Sequence, residues 1–159
     1  MVARKIELKQ VGDPAKTRLR LWIRLLRASR FVEAEVRERL RCEFDVTLPR
    51  FDVMAALYRH PAGMKMSGLS RFLMVSNGNV TGIVDRLVKD GLVIRSQPDG
   101  DRRSWTIKLT NSGISAFETM ANVHQVWIND LFKEISLEDA KMAEAILDTV
   151  VVGRQVRDD

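Results

Sequence analysis

The stretch NGNVTGIVDRLVKDGLVIRSQPDGDRRSWTIKLT, which runs from Asn77 to Thr110, gives the most specific indication of fold class in this 159-residue chain. Its first part carries apolar residues at helical spacing, namely Val80, Ile83, Val84, Leu87 and Val88. Gly91 suits the left-handed stop of this helix. Two β-forming runs, LVIRS and WTIKLT, follow on either side of the charged turn DGDRRS. The stretch therefore predicts a helix and then a two-stranded hairpin, whose buried face holds Trp105, Ile107 and Leu109.

Three helices are predicted before the helix that holds the apolar stripe. Asp13 and Pro14 form a helix start, with proline at the first helical position, and a long helix runs on to about residue 42. Pro49 opens a second helix and Ser67 caps a short third one. The helix that holds the apolar stripe begins at Ser76 and Asn77 and is the fourth.

Two further helices are predicted after the hairpin. A long one starts at Thr110 or Asn111, and Ser136 with Asp139 resembles a capping box that opens the last one. Because a two-stranded sheet is not stable alone, the hairpin must pack on the helices before it. Helix, short helix, helix and hairpin are the element order of a winged helix-turn-helix. The predicted fold class is thus mainly α with a small two-stranded β wing, flanked by long helices.

Composition and charge limit the classes of protein to consider. Hydrophobic residues make up 45% of the chain, yet no apolar run reaches the roughly 18 residues of a membrane span. The first sixteen residues mix charges without a signal-peptide core, so we expect a mobile basic arm on a cytoplasmic protein with no membrane partner. The net charge of +5 favours a polyanionic partner. Eight arginines crowd the stretch from Arg18 to Arg41, whereas six acidic residues lie between Asp130 and Asp148.

The outer side of the Ser76 helix is small and polar near its amino end. In a helix-turn-helix this end of the second helix enters the major groove, where amide and hydroxyl groups pair with base edges. Gly82 lets the backbone approach the duplex closely. The alternative is an ordinary solvated face. The predicted DNA-contacting residues of this helix are Ser76, Asn77, Asn79, Thr81 and Arg86.

The charged hairpin tip suits a wing that reaches along the duplex. Arg102 and Arg103 are poor core residues, but an arginine fits the narrow and strongly negative minor groove. Asp101 is predicted to hold an arginine in place. A charged turn alone is usually a solvated loop, and it is the preceding helix-turn-helix pattern that favours a DNA-binding wing.

The run LVKDGLVIRSQPDGDRRSWTIKLTNSG, with D-R-L at residues 85–87, resembles the signature of MarR-type transcriptional regulators. The likeness covers nearly the whole chain. It implies an obligate homodimer with interlocking terminal helices that binds a palindromic operator in double-stranded DNA and usually represses transcription. It also implies three parts: an arm and first dimerisation helix (1–42), a DNA-binding winged helix-turn-helix (43–112) and C-terminal dimerisation helices (113–159).

Position by position, the resemblance assigns roles in DNA binding. Arg103 matches the family's minor-groove arginine, Asp101 its wing aspartate, and Thr81 with its neighbours the sites that contact bases and phosphates. Gly82 departs from members that carry arginine at this position, so any base contact made by that arginine is absent here.

The resemblance also implies control by a small-molecule effector. MVSNGNVTG, at residues 74–82, is similar to members that control the breakdown of aromatic acids, so the implied effector is an aromatic acid or its coenzyme A thioester. Aromatic residues are expected to line an apolar pocket, and arginines to meet a carboxylate or phosphate. The alternative for each apolar residue is a place in the core. The predicted ligand-binding residues are Trp22, Arg24, Arg27, Arg30, Phe51, Met54, His124 and Trp127.

Other functions find little support in the sequence. An enzyme is not expected, because there is no phosphate-binding glycine loop, no nucleophile with a base and no paired carboxylates, and no cofactor is predicted. His60 and His124 are too few for a metal site, and a single cysteine excludes an internal disulfide. Arg41 next to Cys42 favours a thiolate, but an inert cysteine is the better interpretation. A winged helix used only as a protein-interaction module remains the alternative to DNA binding.

Overall fold

The computed structural model describes residues 13–96 and 105–155, with side chains described as far as residue 150. Two compact units divide the chain, Met1–Leu48 and Pro49–Asp159. In the first unit the helix α1 (Pro14–Phe44) begins where the Asp13 carboxylate accepts a hydrogen bond from the Ala15 N–H at 3.0 Å. The predicted long first helix and its cap are therefore confirmed.

The winged helix-turn-helix begins with α2 and follows the predicted order. Its elements are α2 (Leu48–Arg59), β1 (Met64–Lys65), α3 (Met66–Leu73), α4 (Asn77–Lys89), β2 (Val93–Ser96) and β3 (Thr106–Leu109). Two longer helices follow it, α5 (Asn111–Leu131) and α6 (Leu137–Gln155). The fold class predicted from the sequence is confirmed.

The sheet contains one more strand than the predicted hairpin. Its order is β1-β3-β2, all antiparallel, with Met64 opposite Ile107 and Val93 opposite Leu109. Gly63, at φ +94°, permits this third strand, because a Cβ there would lie 2.7 Å from the Lys108 Cγ atom. A strand of two residues has no alternating pattern, so the sequence offers no signal for it.

Two predictions about local structure are wrong. Trp105 is 52% exposed, whereas Ile107 is buried, because β3 and its pairing with β1 begin at Thr106, beyond Trp105. Ser67 does not cap α3, since the helix starts at Met66 with Lys65 as its N-cap residue. β1 leads directly into α3, so strand pairing rather than a capping side chain fixes the entry into this helix.

The core of the second unit joins α2, α3, α4 and the sheet. α4 buries Val80, Val84 and Leu87, as its apolar stripe predicts. These side chains pack in a core with residues from the neighbouring elements, which include Val53, Met54, Leu57, Leu69, Val93 and Ile107. The stripe commits one side of α4 to the interior, so its opposite side is free to act as a surface.

The connection from the hairpin to α5 is fixed by a close backbone contact. The Thr110 N–H donates to the Leu92 carbonyl at 3.0 Å, and the Thr110 hydroxyl donates to the Gly91 carbonyl at 2.7 Å. The Gly113 N–H donates to the Thr110 hydroxyl at 2.9 Å, which caps α5. A Cβ at Gly113 would lie 1.9 Å from the Leu92 carbonyl oxygen, so only glycine permits this approach.

Candidate nucleic-acid interface

The amino end of α4 is built by Ser76 and Asn77. The Ser76 hydroxyl accepts a hydrogen bond from the Asn79 N–H at 3.4 Å, which caps the helix. The Asn77 side-chain carbonyl accepts a hydrogen bond from the hydroxyl of Ser70 in α3. Asn77 thus ties the two helices of the motif together, and its amide NH₂ group remains as a donor.

The outer side of α4 is open to solvent. Asn79 and Thr81 are exposed, and a Cβ built on Gly78 or Gly82 would meet no other atom within 4 Å. The Thr81 hydroxyl donates to the Asn77 carbonyl at 2.8 Å, so its lone pairs and methyl group are what it can offer a partner. A surface of small polar groups and bare backbone fits a major-groove partner.

Two ion pairs connect α4 to its neighbours. Asp85, on the outer side of α4, pairs with Arg95 in β2, and Asp90 at the end of α4 pairs with Arg50 in α2. The next residue along the helix, Arg86, is exposed. Both acidic groups of the helix are thus neutralised by arginines from outside it, which lowers the repulsion that a phosphate backbone would meet.

The predicted wing residues Asp101, Arg102 and Arg103 lie outside the described residues. The base of the hairpin is described: Ser96 lies opposite Thr106 in register, and the two side-chain oxygens are 3.0 Å apart in a hydrogen bond. The roles assigned to the three tip residues stay predictions.

Four exposed basic and polar residues, all in the winged helix-turn-helix, lie outside the set predicted from the sequence. Lys65, Ser67 and Arg71 are exposed at α3, the helix that crosses the phosphate backbone in helix-turn-helix complexes. Arg95 at the hairpin base is the fourth. The sequence carries a signal for α3, because Ser67 and Arg71 are four residues apart and share one side of the helix, whereas Leu69 between them is buried.

Three of the predicted ligand-binding residues are core residues. Phe51, Met54 and Trp127 are buried. The Phe51 ring lies 4.9 Å from that of His124 and 5.4 Å from that of Phe117, measured between ring centroids. His124 is half-buried, and burial lowers the pKa of its imidazole. This cluster packs α2 against α5.

The other four predicted ligand-binding residues, Trp22, Arg24, Arg27 and Arg30, belong to α1 and are exposed. Arginines in the second half of this helix pair with acidic neighbours, as Arg37 does with Glu33 and Arg39 with Glu35. In the described part of the chain no such ion pair is found for the arginines from 18 to 30.

Cys42 lies in an environment that disfavours the thiolate. Its thiol donates to the Glu38 carboxylate at 3.2 Å, and this hydrogen bond raises the pKa of Cys42. Hydrogen bonds from Arg41 and then Cys42 lower the pKa of Glu38 to about 2, so the carboxylate keeps its charge and its hold on the thiol proton. The guanidinium of Arg41 thus stabilises the Glu38 carboxylate more than it stabilises a Cys42 thiolate, which supports an inert cysteine.

The described residues contain neither a membrane-spanning helix nor a cluster of metal-binding side chains. None of the helices there is long and apolar enough to cross a bilayer. Within the same residues, no group of three or more His, Cys, Asp or Glu side chains is arranged to hold a metal ion.

Comparison with known proteins gives one consistent result. The sequence model of the MarR family matches residues 46–105. The transcriptional activatory protein BadR of Rhodopseudomonas palustris is 29% identical over 144 residues, which are 87% of this chain and 82% of that protein. The crystal structure of a MarR family transcriptional regulator from Silicibacter pomeroyi is similar with a TM-score of 0.73 and 34% identity, over 90% of this chain and 99% of that one.

A further solved structure connects the fold to DNA. A variant of MarR from E. coli, complexed with operator DNA, is similar with a TM-score of 0.72 and 26% identity, over 87% of this chain and 99% of that one. The element order, the open polar side of α4 and these likenesses agree. The chain therefore belongs to the MarR family of transcriptional regulators, which are non-enzymatic DNA-binding proteins.

Proposed function

We propose that this protein binds a palindromic operator as a homodimer, represses transcription there, and releases the DNA when an aromatic acid or its coenzyme A thioester binds. The observation that carries the proposal is the uncovered polar side of α4, with Asn79, Thr81 and the open Gly82 at its amino half. The amino end of a helix that enters the major groove needs such a surface, whereas the buried centre of a protein–protein interface is depleted in charged residues and more apolar.

The distribution of charge supports DNA as the partner. Residues 49–112 contain ten basic and five acidic residues, whereas residues 113–159 contain four basic and nine acidic ones. The positive excess thus lies on the part of the chain that holds the recognition helix, and the C-terminal helices repel polyanions. A winged helix that served only as a protein-interaction module would have no need of this asymmetry.

Uncovered apolar side chains support a homodimer. Every residue of α6 as far as Val150 is exposed, and a helix without buried residues is not expected to be stable in water by itself. A second copy of the chain would bury these side chains. The exposed large apolar residues of α6 are Leu137, Met142, Ile146, Leu147 and Val150, and those of α1 are Leu19, Leu21, Trp22, Ile23, Leu25 and Phe31.

The arginines of α1 support an acidic effector. Arg20, Arg24, Arg27 and Arg30 follow one another at spacings of four, three and three residues, so they share one side of the helix. All four are exposed, and in the described part of the chain they form no ion pair of the kind that Arg37 and Arg39 form. A carboxylate or a phosphate supplies the missing counter-charge.

The direction of regulation, like the aromatic nature of the effector, rests on the resemblance alone. The relative from Rhodopseudomonas palustris is described as activatory, so relatives do not all support repression. A reporter gene placed behind the selected operator decides this: repression predicts higher expression in cells without the protein and in cells given the effector.

Selection from a random-sequence duplex library tests DNA binding itself. We expect a two-fold symmetric consensus whose half-sites lie about one helical turn apart, bound at least ~10³-fold more tightly than a scrambled duplex. The matched control is the same selection with a Thr81→Ala, Asn79→Ala double variant, which should return a different consensus. Binding of all duplexes with equal affinity would favour the interaction-module alternative. Thermal-shift measurements with aromatic acids and their coenzyme A thioesters then identify the effector.

A further inference from the structure

Met74 ends α3 in a conformation that methionine rarely adopts. Its φ is +55°, and in the described part of the chain only one other non-glycine residue, Asp45, has a positive φ. Two hydrogen bonds hold this turn: the Met74 N–H donates to the Arg71 carbonyl at 3.2 Å, and the Val75 N–H donates to the Ser70 carbonyl at 3.1 Å. Glycine or asparagine is the usual residue at such a position, because a Cβ is disfavoured there.

The Met74 side chain is almost entirely unburied by the rest of the protein. It is 93% exposed, more than any other large apolar side chain in the described part of the chain. Glycine at this position would adopt the turn more easily and would expose no apolar surface. The side chain therefore adds nothing evident to folding, which points to contact with another molecule.

The position of Met74 points to DNA. It precedes Ser76, the N-cap residue of α4, by two residues, so it lies next to the amino end of α4. In a helix-turn-helix this is the end of the recognition helix that enters the major groove. The one apolar group that a base edge displays in this groove is the C5-methyl of thymine. Methionine is unbranched and flexible, which lets it adapt to such a contact.

We propose that Met74 contacts the C5-methyl group of a thymine in each half-site and thereby selects a T·A pair there. This inference rests on the proposed operator binding. The apolar surface around Met74 is small: Phe72 and Val75 are about half as exposed, and polar Arg71 and Ser76 border it. Such a surface fits a methyl group better than it fits a partner protein, which would require a larger apolar patch.

Uracil substitution tests the contact, because it removes the methyl group and leaves the pairing edge of the base unchanged. The probe is the duplex that the wild-type protein selects from a random library, with each thymine replaced by uracil in turn. We expect one symmetric pair of replacements to weaken wild-type binding about fourfold per half-site, the value of one buried methyl group. The variant Met74→Gly should bind the all-thymine duplex as weakly, and it should be insensitive to that same replacement.

Stability measurements separate this effect from a folding defect. Met74→Gly should unfold at the same temperature as the wild type or at a higher one, and Met74→Asn, which also suits the turn, should behave alike in DNA binding. Asp45→Gly is the matched control, since it relieves the other positive-φ residue and should leave DNA affinity unchanged.

Each other outcome overturns the inference. Unchanged affinity of Met74→Gly excludes a DNA contact, and if gene regulation is nevertheless lost, the side chain docks a protein. If Met74→Gly binds the duplex more weakly but is still weakened by the same uracil replacement as the wild type, Met74 contacts DNA at a group other than the thymine methyl. A wild-type protein that selects no consensus at all refutes the proposed function, and this becomes clear before any Met74 variant is made.

Discussion

Asp85 in α4 is paired with Arg95 in β2, so the recognition helix and the base of the hairpin are joined by an ion pair on the side that is open to solvent. The two side chains are 53% and 36% exposed. An exposed pair of this kind stabilises a protein by less than about 1 kcal/mol. Its effect on DNA binding is expected to be larger. The pair holds a negative charge on the surface of α4 and keeps Arg95 from binding a phosphate.

The variant Asp85→Asn tests this expectation. It releases Arg95 to a phosphate and removes a negative charge, so affinity for a random duplex should rise and the salt dependence should steepen by about one counterion. The ratio of specific to non-specific affinity should fall. Anisotropy titrations at several salt concentrations measure all three quantities.

Asp90→Asn is the matched control for this experiment. Asp90 pairs with Arg50, which is only 20% exposed and carries a buried Nε atom without a hydrogen-bond partner, so this arginine is not available to DNA. Asp90→Asn should lower stability and leave the salt dependence unchanged. Equal salt slopes for Asp85→Asn and the wild type would contradict the role given to Arg95.

Gly82 should show opposite effects on stability and on DNA affinity. It lies inside α4, and a Cβ there would meet nothing within 4 Å, so Gly82→Ala should stabilise the protein by about 0.5–1 kcal/mol. The same methyl group should hold the backbone away from the duplex and weaken specific binding several-fold. Urea unfolding and titration of the selected duplex measure the two effects. A stabilised variant with unchanged affinity would mean that DNA does not approach this part of α4.

Gly113 should tolerate no side chain at all. A Cβ there would lie 1.9 Å from the Leu92 carbonyl oxygen and 2.9 Å from its carbon, and both are backbone atoms that the hairpin holds in place. Gly113→Ala should therefore destabilise the protein by about 1–3 kcal/mol, despite the helix propensity of alanine. Urea unfolding measures the change. The exposed neighbour provides the control, because Ser112→Ala should stay within about 0.5 kcal/mol of the wild type.

The helices of this fold were predictable from short-range chemistry. The starts of α1, α4, α5 and α6 each carry a capping side chain, namely Asp13, Ser76, Thr110 and Ser136. The apolar stripe of α4 predicted its buried side, because 3.6-residue periodicity is a local property. Gly91 was predicted as a left-handed stop, and its φ is +72°.

The features that could not be predicted from the sequence depend on contacts between residues that are far apart in the chain. The strand β1 exists because Met64 lies opposite Ile107, and the exposure of Trp105 follows from where that pairing ends. The same is true of the candidate site. Asn77 was predicted to face DNA, but its link to Ser70 depends on how α3 and α4 pack. The ion pair of Asp85 with Arg95 likewise joins two elements, α4 and β2, and the periodicity of either element alone cannot predict it.

The exposed apolar side of α6 should hold the proposed dimer together. Ile146 and Val150 are four residues apart and are 52% and 72% exposed, so they share one side of the helix. Replacing both by glutamate should raise the dimer dissociation constant at least ~100-fold, since each buried aliphatic side chain contributes about 1.5–3 kcal/mol. Sedimentation analysis measures it, and circular dichroism should show loss of helix. Lys141→Glu, on the same helix, should leave the dimer intact, and two glutamates without any effect would exclude α6 from the interface.

His124 should make the stability of the protein depend on pH. Its ring lies 4.9 Å from that of Phe51 and 6.5 Å from that of Trp127, and burial lowers its pKa from the usual 6.5. Below pH 6.5 the unfolded chain therefore takes up a proton that the folded protein resists, so stability falls as the pH drops through this value towards the lowered pKa. The loss ends below the lowered pKa, where both states are protonated. Thermal unfolding between pH 5 and 8 measures the slope, and His124→Gln should abolish the part of it near pH 6. A slope that persists in this variant would assign the pH dependence to another group and would weaken the view that the cluster packs around a neutral imidazole.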